Sequence, residues 1–423
     1  MLSTSKDANK NYLAKIVNIE EFKNHPNADR LKMAIVDYQN VITGIDSNPG
    51  LYVFFPLESE LNKGFVSSFN GFRDEELNQD KEKSGFFEYN ARVKALRLRG
   101  ERSMGFILPV QSLFDYVGKT FDVTAGTEFD TIGKDKIIQK YRIQKVESKF
   151  QKRKYRKPAL SRLVENQFKF HTDTENLRKN AFKIKPDDDI VITYKVHGTS
   201  MVCSNVLVKR KLNIFERLLK KVGVKVKETE YDVVYSSRRV VKNSKFKDPK
   251  RNDNYYDKDV WNEVYNEIKD RIPKGFSVYG EIVGYVDNNK YIQKGYDYSC
   301  VPGQKRFFVY RVTFTNEDGN TFELSYDNMV RFCTKYGFET PKCFYYGKAS
   351  GFAPNEEKLI SRLERRYNEK DCFMCINKVP EEGIVLRVEK LDEFEAYKLK
   401  SFRFLERETS SLDSQEEDME EMN

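Results

Sequence analysis

From residue 185 onward, short β-branched and aromatic runs alternate with amphipathic helical stretches in no regular order, and this irregularity constrains the fold most. The runs "DIVITYKV", "YDVVYSS", "FSVYGEIVGYV", "RFFVYRVTF", "EGIVLRV" and "EAYKLKSF" are rich in Val, Ile, Tyr and Phe, which suit a pleated, half-buried surface. Among them, "DVWNEVYNEIKDRI" places Val260, Trp261, Val264, Tyr265 and Ile268 on one helical face, and "FERLLKKV" and "EEKLISRLERRYNEK" also read as helices. A doubly wound parallel sheet needs strand and helix to alternate strictly. The order here predicts an α+β fold instead.

Residues 11–110 read differently. "YLAKIV", "RLKMAIV", "NVITG", "LYVFFP", "ARVKALRLRG" and "MGFILPV" are apolar or alternating, separated by Asn, Gly and Pro, and suggest a small β-barrel. A chain of 423 residues is long for one domain, so two are expected. Hydrophobic content of 39% with 31 Phe and 25 Tyr is enough for real cores. The net charge of +9 hides an asymmetry: the segment 406–423 contributes −7, which leaves +16 for residues 1–405. A basic body of this kind favours polyanionic partners. Residues 134–157 hold eleven Lys or Arg against two acids and read as a basic linker or the edge of a nucleic-acid surface.

No apolar run approaches the ~20 residues of a membrane span, and "MLSTSKDANK" has no secretory h-region. The expectation is therefore a cytoplasmic protein without a membrane partner. Six cysteines do not suggest a disulfide framework. Cys372 and Cys375 form one CxxC, but zinc would need two further ligands, and ordinary reduced thiols are the expectation.

Lys195 ends an apolar run in "ITYKVHGTSMVCSN". A nucleophilic lysine must first lose its proton, which desolvation or a neighbouring cation promotes. Attack on a nucleoside triphosphate further needs carboxylates to hold a metal, cations for the developing charge, an aromatic for the base and a carboxylate for the ribose. The chain has these in order. Gly198 follows Lys195 and permits a close backbone approach. Arg238 and Arg239 follow a strand, Glu281 stands in "VYGEIVGY", and Phe307 and Phe308 in "RFFVYRV". Glu382 opens the strand of "PEEGIVLRV", and Lys398 and Lys400 lie two apart on one strand face.

These collinear motifs resemble those of the covalent nucleotidyltransferases, which include ATP-dependent RNA and DNA ligases and mRNA capping enzymes. "KVHGTS" is similar to the RNA ligase form of the nucleophile motif, with His197 where DNA ligases and capping enzymes usually carry Asp. The insertion "VKRKLNIFERLLKKVGVKVKETEYDVVYSSRRVVKN" and the segment "FKFHTDTENLRKN" resemble the nick-sealing RNA ligases that carry an N-terminal OB domain. "NIEEFKNHPNADRLKMAIVD" likewise resembles the opening of tRNA-binding OB folds. The resemblance implies an OB-like β-barrel over residues 1–130, a basic linker over 131–160 and a nucleotidyltransferase domain with antiparallel sheets over 161–405. An acidic, disordered tail over 406–423 would follow.

Carried over residue by residue, Lys195 would form the lysyl-adenylate, and Glu281 would bind the ribose and serve with Glu382 as a metal ligand. Phe307, or Phe308 one residue on, would stack on adenine. Lys398 and Lys400 would contact the α-phosphate, with Gly198 and Arg238 completing the nucleotide site. Tyr194 departs from relatives that have an acid before the nucleophile. The implied cofactors are ATP and Mg²⁺ or Mn²⁺. The implied partner is RNA, or an RNA-containing duplex with a 5′-phosphate end, acted on by a monomer in RNA repair. Capping enzymes and DNA ligases usually place the OB domain after the motifs, where this chain has only about 20 residues. A non-catalytic RNA-binding protein is the reading from another class. Taken singly, each charged residue could be a solvated strand end and Phe307 a core residue, and His25 and His171 read as structural.

Overall fold

The computed structural model describes residues 1–143, 162–242, 259–390 and 393–414. They form two compact units, one of residues 1–143 with 402–414 and the other of residues 162–401.

In the first unit, a four-stranded antiparallel sheet runs in the order Phe106–Pro109, Gly50–Phe55, Ala14–Ile19, Glu128–Phe129. A separate three-stranded sheet joins Lys23–Asn24, Leu31–Val36 and Gln39–Gly44. Asp37 and Tyr38 close its main hairpin with φ of 47° and 61°, the left-handed pair that a two-residue turn requires. Phe55, Phe65, Phe72, Phe87 and Phe129 are buried in one core cluster. The barrel expected here is not found as one closed ladder: among the described residues the strands divide into several short antiparallel sheets. Strands of two to six residues end in turns before a continuous ladder can close.

Two expected boundaries also shift. Residues 131–140, assigned to the linker, contain the strands Thr131–Ile132, Asp135–Lys136 and Ile138–Lys140 of this unit; residues 144–160 of the linker lie outside the described residues. The segment Phe402–Asp413 is a helix of the first unit, so the disorder expected from residue 406 does not hold through 413. Phe402 and Leu405 bury themselves with Ala95 and Met104. Glu406 pairs with Arg97 at 3.2 Å, and Asp413 with Arg92 and Lys94 at 2.5 and 2.9 Å. Two of the acids that suggested a solvated tail are thus answered by basic residues on and just before the strand Ala95–Leu98. Residues 415–423 lie outside the described residues.

The strands of the second unit are numbered here in chain order: β1 (Glu175–Asn176), β2 (Asp189–Tyr194), β3 (Thr199–Lys209), β4 (Thr229–Ser236), β5 (Phe276–Gly284), β6 (Lys305–Thr315), β7 (Thr321–Glu323), β8 (Cys343–Lys348), β9 (Gly383–Val388) and β10 (Glu395–Lys400). They build two five-stranded sheets, β1-β10-β9-β2-β8 and β4-β3-β5-β6-β7. Every pairing is antiparallel except the short one between β1 and β10. The α+β class with antiparallel sheets holds.

Each sheet buries one face under helices. Val260, Trp261, Val264 and Ile268 of the helix Val260–Ile268 pack with Met329 and Phe332 of Tyr326–Tyr336 on the second sheet. Leu359, Ile360, Leu363 and Tyr367 of Glu356–Tyr367 pack on the first. Asp259, Ser325 and Asn355 cap the three helices by accepting the N–H of the third helical residue. Full burial of one such side chain contributes ~1.5–3 kcal/mol, and Trp261 also donates its Nε1–H to Ser200 O at 3.0 Å. Residues 195–198 carry the chain from β2 in one sheet to β3 in the other, so Lys195 stands where the sheets meet.

Candidate active site

Two backbone constraints fix Lys195. β2 pairs Tyr194 with Ile384 of β9, and the Lys195 N–H then donates to Gly383 O at 2.9 Å. On the far side the His197 N–H donates to the Tyr298 hydroxyl at 2.5 Å, and Gln293 Nε2 donates to Gly198 O at 2.8 Å. The Lys195 ammonium reaches Glu382 Oε1 at 2.7 Å, with the two side chains only 11% and 1% exposed. A buried ion pair does not by itself add much stability; this one holds the amine and the carboxylate in register. Among the described residues Glu382 Oε2 is buried and accepts no hydrogen bond, which leaves an anionic oxygen open to a cation. His197 Nδ1 lies 3.8 Å from the same carboxylate, and its ring meets Tyr296 edge-on at 4.8 Å. Glu381, immediately before Glu382, is pushed up to about 9 by burial, with Cys372 and Glu382 adding to the shift.

Lys195 opens into a cleft with about 850 Å³ of empty space, its open mouth included. Arg238, Glu281 and Lys398, all expected from the sequence, line it, together with Tyr194. Arg238 is paired with Asp173 at 2.6 Å. Burial opposes ionisation of Asp173, but Arg238, His171 and Arg239 together hold it below the usual carboxylate range. Tyr194 packs its ring on Phe373 and Phe344, at 4.6 and 5.0 Å between centroids, and its hydroxyl accepts from Arg366 Nε at 3.2 Å.

Four expectations change. Phe307 does not line the cleft; it is buried on the opposite face of β6, in the core under the helices. Phe308 faces the side of Glu281, its direct cross-strand partner, but packs with Arg306 and Tyr298 instead. The residue of this strand that does line the cleft is Tyr310, beside Tyr194, Tyr326 and Phe394 from other segments. Gly280 pairs with Val309 and Tyr279 with Arg311, so Tyr310 is the extra residue of a β-bulge, a device that re-aims a side chain. Its hydroxyl lies 2.7 Å from His171 Nδ1, which makes His171 a cleft residue rather than a merely structural one. Burial, with Glu281 adding to it, raises the Tyr310 phenol and keeps it protonated.

Gly198 is small for a different reason: a Cβ there would lie 2.4 Å from Ile282 O, so β5 claims the space. Lys400 shares a strand face with Lys398, but it sits opposite Gly383 and does not line this cleft.

Arg387 also lines the cleft and was missed, because a lone arginine inside "IVLRV" gives no local signal. It bonds Glu389 at 2.8 Å and stacks on Phe394, and burial lowers its basicity. Cys372 and Cys375 close a tight turn with an N–H to O bond of 3.2 Å. Among the described residues no group of three or more metal-ligating side chains forms, there or in the cleft.

With the geometry in place, the comparisons are informative. The RNA ligase family model matches residues 188–402, just over half of the 423-residue chain. No curated protein matches the sequence. Among solved structures, a lysine-to-alanine variant of Naegleria gruberi RNA ligase with ATP and Mn is similar over 96% of this chain and 99% of that one, at 14% identity and a TM-score of 0.57. A lysine-to-methionine variant with AMP and Mn matches at 15% identity and a TM-score of 0.55, over 93% and 98%. An apo lysine-to-alanine variant matches at 14% and 0.56, over 93% and 98%. The TM-scores show a shared fold, and the span matched by the family model shows that the chain belongs to the RNA ligase family.

Proposed function

We propose that the protein is an ATP-dependent RNA ligase that joins 3′-hydroxyl and 5′-phosphate ends, at nicks in RNA-containing duplexes, through a lysyl-AMP intermediate. The observation that carries this reading is the Lys195–Glu382 contact at 2.7 Å, beside a cleft lined by Glu281, Arg238, Tyr310 and Lys398. The structural neighbours solved with ATP or AMP and Mn support the choice of nucleotide and metal.

In the resting structure the Lys195 amine is engaged by Glu382. A triphosphate with its divalent cation would compete for the Glu382 carboxylate, and loss of that partner beside Lys398 favours the neutral amine. The Lys195 nitrogen, its proton passed to solvent, then attacks the α-phosphorus, an N–P bond forms, the bond to the β-phosphate oxygen breaks, and pyrophosphate leaves. In the second step an oxygen of the RNA 5′-phosphate displaces Lys195 from that phosphorus. In the third, the 3′-hydroxyl attacks the activated 5′-phosphate and AMP departs. Lys398 stabilises negative charge in each step, Tyr310 stacks on adenine in place of Phe307, and Glu281 holds the ribose.

For the metal, the chain supplies Glu382, with its open Oε2, and Glu281. One or two carboxylates plus substrate phosphates are the usual Mg²⁺ environment, and Mn²⁺ fits the same donors. Such an ion would neutralise phosphate charge. The small antiparallel sheets of the first unit serve in this reading as an OB-like surface for the duplex.

The deciding experiment is label transfer from [α-³²P]ATP. Lys195→Ala should carry no label, and persistent covalent adenylylation of that variant would overturn the assignment. GTP in place of ATP should label weakly, against a capping activity. Nicked duplexes with RNA or DNA on either side of the break then test the substrate.

A further inference from the structure

Beyond the tips of β3 and β4 the chain makes a nineteen-residue excursion, 210–228, closed at its base by the Arg210 N–H to Glu228 O bond of 2.8 Å. It contains the helix Ile214–Lys221, with a capping box between Asn213 and Glu216. At 100° per residue, Ile214, Phe215, Leu218, Leu219 and Val222 fall on one arc of this helix, and Glu216, Arg217, Lys220 and Lys221 on the other. In a soluble protein the apolar arc should face a core. Here none of the helix is buried, and Ile214, Phe215, Leu218 and Val222 are 78%, 72%, 55% and 75% exposed. A patch of this kind marks an interaction surface.

Charge selects the occupant. Residues 210–228 hold seven Lys or Arg and two acids. Both acids are paired within the excursion, Glu216 with Arg210 and Glu228 with Lys220 at 2.6 Å. Lys211, Arg217, Lys221, Lys225 and Lys227 make no ion pair among the described residues. A second copy of this tip would bring like charges together. RNA would satisfy the cations but leave Ile214, Leu218 and Val222 in water, since phosphates offer nothing apolar. An anionic bilayer surface answers both at once: headgroups for the basic residues, and the acyl boundary for the apolar arc. We infer that the 210–228 tip is a peripheral docking element for anionic lipid membranes. It lies on the surface and does not span it, so it is compatible with the lack of any helix long and apolar enough to cross a membrane among the described residues. The inference stands independently of the ligase reading.

The test is sedimentation of the full chain with vesicles of phosphatidylcholine alone or with about a third phosphatidylserine. Expected is at least tenfold stronger binding to the anionic vesicles. Phe215→Asp with Leu218→Asp should reduce that binding at least tenfold, and Lys221→Glu with Lys225→Glu should act alike, while both variants keep wild-type thermal melting and ATP labelling. Three outcomes overturn the inference: no binding of the wild type to anionic vesicles, undiminished binding of the Phe215→Asp, Leu218→Asp variant, or a loss of RNA affinity in that variant with vesicle binding unchanged.

Discussion

Phe307 and Tyr310 stand three residues apart on one strand and have opposite fates, and the difference is measurable. Tyr310 lines the cleft over its hydrogen bond to His171, whereas Phe307 is 8% exposed in the helical core. Tyr310→Ala should raise the KM for ATP in the labelling reaction about tenfold, since stacking on one base is worth ~1–3 kcal/mol, with little change in melting. Phe307→Ala should do the reverse, costing ~3–5 kcal/mol of stability with no selective effect on the ATP KM. Equal KM effects from both would refute the assignment. A titrating residue offers a second test. Asp130 is 2% exposed; burial alone would raise its pKa, but the Ser5 N–H and hydroxyl, Thr131 and Lys136 together hold it below the usual value. A carboxyl lowered by folding stabilises the protein above its unfolded pKa, and that stability disappears as pH falls through the folded value. Wild type should therefore outlast Asp130→Asn by ~1–3 kcal/mol at pH 7, and the gap should shrink below pH 4 in melts taken between pH 3 and 7.

The strands meet Lys195 through glycine. Gly383 has φ of +145° and opens β9; a Cβ on it would lie 2.1 Å from Leu399 O and 2.9 Å from the Lys400 Cα. Its carbonyl accepts the Lys195 N–H, so the same residue sets the β9–β10 spacing and the position of Lys195. Gly383→Ala should separate β9 from β10 locally and cut the rate of lysine adenylylation at least a hundredfold, measured by single-turnover labelling of protein that keeps the wild-type sedimentation profile. Retention of the wild-type rate would show that the lysine's position does not depend on this packing. "EEGIV" makes the glycine visible in the sequence, but which strand crowds it is a tertiary fact. The β-bulge at Tyr310 is harder still to see, because "RFFVYRV" looks like uninterrupted strand.

The whole molecule is basic in its body and acidic at its end. With +16 over residues 1–405, RNA affinity should be governed by counterion release. Six neutralised phosphates would weaken binding on the order of a thousandfold between 50 and 200 mM salt, measured by filter binding to a nicked duplex, whereas labelling of Lys195 by ATP should change only a few-fold. A flat salt profile for RNA would argue against an extended phosphate footprint.

By itself the sequence determined the α+β class, the family, and the order of Lys195, Arg238, Glu281, Glu382 and Lys398, because hydrophobic period and motif order are local properties of a chain. Only the tertiary structure decided which of three neighbouring aromatics reaches the cleft, that Gly198 is spent on packing, and that His171 and Arg387 belong to the site. It also decided that acids at 406 and 413 belong to a folded helix, paired with Arg97, Arg92 and Lys94. Each of these depends on which strand lies beside which and in what register, and residues far apart in the chain set that.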